Sequence, residues 1–107
     1  MQYRVLMTQG AEDDLVALWS HLAADKSLSD ADYVLGKIKA AIESLGRSPA
    51  RGHVPPELDR IAVHDYLQIH FKPYRVVYQI RDRAVYVYCV LDGRRDLQVL
   101  LRQRLLR

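Results

Sequence analysis

The 107-residue sequence predicts an α+β domain: an N-terminal strand, then an antiparallel helical hairpin packed on a small, mainly antiparallel four-stranded sheet (β-α-α-β-β-β), closed by a short C-terminal helix. Three observations carry this. Apolar residues recur at i, i+3, i+4 and i+7 in two consecutive stretches of the first half. Three strand-like runs crowd into residues 65–91, with connectors so short that their neighbours must be antiparallel. The last stretch returns to helical spacing.

Tyr3 to Thr8 is a β-branched and aromatic run ended by Gly10, enough for one strand. In the first helix Leu15, Leu18, Trp19 and Leu22 form the apolar stripe, and Glu12, Asp13 and Asp14 sit in the first turn, where carboxylates suit the helix dipole. Asp25 to Ser29 reads as the break. Ser29 with Asp32 has a capping-box spacing, and Val34, Ile38, Ala41, Ile42 and Leu45 hold one face of a second helix until Gly46 and Pro49 end it. Pro49 to Arg60 has three prolines, Gly52 and no period, so a long surface loop is expected there. Asp65 to Phe71 alternates, with Leu67, Ile69 and Phe71 on one side and Tyr66, Gln68 and His70 on the other. Lys72-Pro73 turns into Tyr74 to Ile80, and Arg81-Asp82-Arg83 turns into Val85 to Leu91. Asp92-Gly93 breaks that strand, and Asp96 to Leu106 places Leu97, Leu100, Leu101 and Leu105 at helical spacing.

Length supports one domain over residues 1–107, with a core of its own. Hydrophobic residues at 50% and charged residues at 27% argue against wholesale disorder. A single cysteine, Cys89, makes neither an internal disulfide nor a multi-cysteine zinc site, and reads as a small core residue. Arginine and clustered acids interrupt the N-terminus where a signal peptide needs an apolar run, so a cytoplasmic protein is expected. Charge is segregated within the net +3: residues 1–46 hold four basic residues against seven acidic, residues 47–107 twelve against six, eleven of the twelve being arginine. Guanidinium groups fork phosphate and carboxylate bidentately, so the second half suits a phosphate or an acidic partner.

Few motifs of known chemistry are present. The glycines at 10, 36, 46, 52 and 93 stand singly, so no phosphate cradle forms, and His21, His53, His64 and His70 are scattered; no cofactor or metal is expected. A hairpin of the second and third strands puts Gln68, His70 and Arg75 on one face, and Arg94 and Arg95 leave the end of the fourth. His70, Arg75, Arg94 and Arg95, with His64, would make a patch able to exchange protons and stabilise charge on a phosphate. A local reading stays open for each: Arg75 facing an acid, His70 as a surface histidine, Arg94 and Arg95 paired with Asp92 or Asp96. Tyr66, Tyr74, Tyr78, Tyr86 and Tyr88 can stack on bases or simply fill strands.

Tyr74-Arg75-Val76-Val77-Tyr78-Gln79-Ile80, the strand Val85 to Leu91, Asp92-Gly93-Arg94-Arg95-Asp96-Leu97 and the stretch LGRSPARG at Leu45 to Gly52 together resemble the RelE/ParE superfamily of bacterial toxins, over nearly the whole chain. The resemblance implies a type II toxin held inactive by a cognate antitoxin in a hetero-oligomer. RelE-like members are ribosome-dependent endoribonucleases acting on mRNA; ParE-like members poison DNA gyrase. Arg75 matches the arginine of the RelE pattern YRLVY, and Arg95 the arginine after its glycine-basic pair. The RelE lysines are missing from Leu67 to His70, and Leu101 stands where RelE has a tyrosine. These departures favour a ParE-like, non-enzymatic gyrase inhibitor, with Arg75, Arg94, Arg95, Arg102 and Arg104 as target-binding candidates. The alternatives are an mRNA endonuclease using His70 or His64 with Arg75 and Arg95, and a nucleic-acid-binding domain built on the arginine-rich half. The terminal helix is then an interaction arm or a lid.

Overall fold

Thr8 sets the first corner of the chain. Its hydroxyl accepts from the Ala11 amide at 3.2 Å and donates to the Val87 carbonyl at 3.2 Å, so one side chain caps a helix and ties it to the sheet. A computed structural model describes residues 2–106. The order is β1 (Arg4–Met7), α1 (Gln9–Asp25), α2 (Leu28–Ser44), α3 (Pro56–Asp59), β2 (Leu67–Phe71), β3 (Tyr74–Arg81), β4 (Ala84–Asp92) and α4 (Gln98–Leu105). The expected β-α-α-β-β-β succession with a terminal helix is therefore observed. The sheet runs β1-β4-β3-β2, with β1 parallel to β4 and the other pairs antiparallel.

Each face of the sheet has its own apolar layer. Leu15, Leu35, Ile38 and Ile42 of the helical hairpin pack on Ile69, Val76, Tyr78, Val85, Val87 and Val90. On the other face, Leu58 of α3 with Leu97 and Leu101 cover Tyr66, Val77, Cys89 and Leu91. A register slip makes both layers possible: Val77 lies opposite Cys89 but Tyr78 opposite Val87, so Tyr88 is an extra, unpaired residue. Val87 and Val90 thus face the hairpin, while Cys89 and Leu91 face α4.

Several boundaries differ from the sequence reading. Ser27, not Ser29, caps α2, its hydroxyl accepting from the Asp30 amide at 2.9 Å, so the break between the helices is only Lys26-Ser27. Pro49 to Arg60 is no featureless loop. It holds a 3-10 turn at Pro49–Arg51 and α3, whose first position is Pro56, where a missing amide proton costs nothing. Gly52 is required at its corner because a Cβ there would lie 2.5 Å from the Tyr78 hydroxyl and 2.6 Å from the Gln68 carbonyl oxygen. No helix among the described residues is long and apolar enough to cross a membrane.

Candidate functional site

Arg75 is the most constrained charged side chain of the sheet. It sits in β3 opposite His70 of β2 and Leu91 of β4, and is only 7% exposed. Its Nε donates to Gln68 Oε1 at 2.6 Å, and Nη1 and Nη2 donate to the two Glu57 carboxylate oxygens at 2.7 and 2.6 Å. These hydrogen bonds, acting against burial, hold the Glu57 carboxyl below its ordinary range. Glu57 is itself pinned, since Gln98 Nε2 donates to its backbone carbonyl at 2.6 Å and Arg60 Nη1 donates to Gln98 Oε1 at 3.1 Å. Arg75 therefore faces a carboxylate from α3, a partner the strand pattern alone did not suggest.

Gln68, His70 and Arg75 share one face, as the two-residue strand period requires, and His53 joins them. The His53 amide donates to the Gln68 carbonyl at 3.1 Å and its carbonyl accepts from the Gln68 amide at 2.7 Å, extending the sheet by one bridge. The His53 and His70 rings stack with centroids 5.4 Å apart and planes 18° from parallel. Because Arg75 Nε takes Gln68 Oε1, the Gln68 side-chain amide is left facing His53 Nε2 at 3.2 Å, and that nitrogen must accept. Burial first, then His53, Arg75 and Lys72, pushes the His70 pKa below its ordinary value of 6.5. His64 stays outside this network, on Asp59 at 2.8 Å at the surface.

The expected patch of gathered guanidinium groups does not form. Arg75 is on Glu57; exposed Arg94 folds back on Asp92 at 3.0 and 2.7 Å; Arg104 forks Asp14 at 3.1 and 3.0 Å and donates to the Tyr88 carbonyl at 2.9 Å. Each finds a carboxylate within side-chain reach, which costs less than burying an unpaired charge. Arg95 and Arg102 are exposed and have no ion pair among the described residues, but they stand apart. Arg94 and Arg95 line an open cleft of about 620 Å³ against His21 and Asp25 of α1 and Lys26 just past its end, whereas Arg102 borders a shallow hollow beside Val99 and Leu106. Among the described residues no group of three His, Cys, Asp or Glu side chains could hold a metal ion.

Asp14 and Arg104 finish the sheet instead. β1 covers β4 only from Ala84 to Val87, leaving the rest of that edge open. Asp14 Oδ2 accepts from the Val90 amide at 2.9 Å and Arg104 satisfies Tyr88, so the ion pair caps the exposed edge while pinning α4 to α1. The terminal helix is thus a fixed cover on the second face.

The open apolar surface lies on the other side, along the hairpin. Met7, Leu15, Val16, Trp19, Leu35 and Gly36 line a groove of about 680 Å³ rimmed by Glu12, Asp32 and Lys39. Val16, 67% exposed, stands beside it; Trp19 is oriented by Nε1 donating to Asp32 at 2.8 Å. A Cβ on Gly36 would meet nothing within 4 Å, so this glycine keeps the groove floor bare. Helical spacing puts Trp19 on the core stripe of α1 and gives Gly36 no role; only the crossing of the two helices turns them outward together.

Known proteins share both pattern and shape. The family described as the ParE toxin of the type II toxin–antitoxin system, parDE, matches residues 5–97. No protein of curated function matches the sequence. The fold is similar to a chain of the chromosomal ParDE system from P. aeruginosa, with TM-score 0.70 and 14% identity over 83% of this chain and 94% of that one. It is also similar to a chain of the RelBE2 toxin–antitoxin complex from Mycobacterium tuberculosis, with TM-score 0.58 and 24% identity over 84% of this chain and 96% of that one.

Proposed function

This chain belongs to the family of ParE toxins of type II toxin–antitoxin systems, and from that premise we propose that it arrests growth by binding DNA gyrase, in the cytoplasm, and is neutralised by a cognate antitoxin. One observation carries the choice of binding over cleavage: Arg75, the arginine that a nuclease would turn toward phosphate, has its guanidinium on Glu57 and Gln68. A substrate phosphate would have to displace a bidentate carboxylate already seated there. The departures from the RelE pattern at Leu67 to His70 and at Leu101 point the same way.

The hairpin groove is the surface on which an antitoxin arm fits best. Its apolar floor and exposed Val16 suit an apolar anchor, and an amphipathic segment laid into such a groove buries surface that is otherwise left in water. The deciding experiment sets purified protein against gyrase supercoiling and against mRNA on translating ribosomes. Arrest of supercoiling with intact mRNA is the expected result; ribosome-dependent cleavage with unaffected gyrase would establish the nuclease reading instead.

A further inference from the structure

The second face of the sheet is covered at one end only. α3 and α4 close over Val77, Cys89 and Leu91, whereas toward the β3–β4 turn Arg4 and Arg81 are exposed and Leu6, Gln79 and Tyr86 are half-buried. Registered neighbours share a face, so Arg4, Ala84 and Arg81 form one row across three strands and Leu6, Tyr86 and Gln79 form the next. Val85, between these rows, packs with Val5 and Ile80 into the hairpin core, so both rows point away from the hairpin.

The arginines of this end are unpaired among the described residues, as Arg95 and Arg102 are elsewhere, but here two of them stand in one row of one sheet face. Arg75, Arg94 and Arg104 each hold a carboxylate, but Arg4, Arg81 and the turn residue Arg83 have no ion pair among the described residues. The nearby acids are Asp82 in the same turn and Asp65, which accepts from Gln79 Nε2 at 3.3 Å. The Arg81 guanidinium lies 5.9 Å from the centre of the Tyr86 ring, and the Tyr88 hydroxyl beside it donates to Gln79 Oε1 at 3.4 Å. Two free arginines whose backbones stand two strand spacings, about 10 Å, apart, next to an aromatic ring, offer what both halves of a nucleotide need. An acidic peptide would use the charges and leave the ring idle.

We propose that this open end of the sheet binds a single-stranded nucleic acid, with Arg4 and Arg81 on backbone phosphates and Tyr86 stacked on a base. The proposal stands whether or not gyrase is the target. Fluorescence anisotropy of the full chain with labelled oligothymidylate and oligouridylate, each over a salt series, tests it. Binding to at least one strand is expected, and which one tells DNA from RNA. Arg4→Ala with Arg81→Ala should weaken binding about tenfold or more and flatten the log–log salt slope by about 1.4, as loss of two single-strand phosphate contacts requires. Tyr86→Ala should weaken it about tenfold and Tyr86→Phe should restore it, since the phenyl ring stacks as well. Removing the same charge from the hairpin side, with Lys37→Ala and Arg47→Ala, should change little. No binding at low salt, equal weakening by the hairpin pair, an inert Tyr86→Ala, or tighter binding of polyglutamate through the same arginines would each overturn the proposal.

Discussion

At the scale of the residue, Arg75 shows how far a sequence pattern reaches. The strand period placed it beside Gln68 and His70, but its partner Glu57 sits in a proline-rich segment without period, and nothing in the spacing joins the two. The buried pair sets the first prediction: Arg75→Ala, leaving the Glu57 carboxylate half-buried and alone, should cost about 3 kcal/mol in denaturant unfolding. Arg75→Met with Glu57→Leu should recover part of it, because an apolar pair of similar volume needs no partner while buried Gln68 Oε1 loses its donor. Acid should act in two windows. The folded-state pKa values of both His70 and Glu57 lie below their ordinary 6.5 and 4.5, so each contributes stability that is full above its ordinary value and falls as pH drops below it. Stability should therefore decline first below about pH 6.5 through His70 and again below about pH 4.5 through Glu57. His70→Asn should remove the first decline and keep the second; an unchanged upper window in thermal melts would discount the stacked pair.

At the scale of the element, the helices were legible because their apolar stripes are regular, and the strands because their connectors are short. What those elements would sit against was not. Leu97 and Leu101 announce an amphipathic helix, but the seat of α4 depends on the extra residue Tyr88 in β4 and on Arg104 reaching Asp14, 90 residues away along the chain. Asp14 looked like one of three acids suited to a helix start; its aim at the Val90 amide appears only when α1 crosses β4. Arg104→Ala should lower stability by about 1–2 kcal/mol, and hydrogen exchange should speed up in α4, with a double-mutant cycle against Asp14→Ala showing coupling. In α2, Gly36→Ala should stabilise by about 0.5–1 kcal/mol, since the helix gains and nothing is crowded. Gly36→Leu should fold equally well but fill the groove, weakening antitoxin binding by calorimetry; undiminished affinity would move the antitoxin elsewhere.

At the scale of the whole molecule, the segregated charge foretold a basic half but not its arrangement. Arg75 and Arg104 are taken up within the fold by Glu57 and Asp14, exposed Arg94 pairs with Asp92 at the surface, and of the guanidinium groups left free Arg95 and Arg102 stand apart while Arg4 and Arg81 share a row at the open end of the sheet. Such a molecule has its open apolar groove on the hairpin and its internalised arginine under α3 and α4, an arrangement that suits a protein acting by docking. The most direct test is growth arrest by the Arg75→Met, Glu57→Leu variant, expressed with its fold confirmed by circular dichroism and its antitoxin affinity intact. Toxicity equal to that of the native chain is expected if the toxin acts by docking, because the pair lies buried within the fold. A folded, antitoxin-binding variant that no longer stops growth would contradict it and return Arg75 to the chemistry of the toxin.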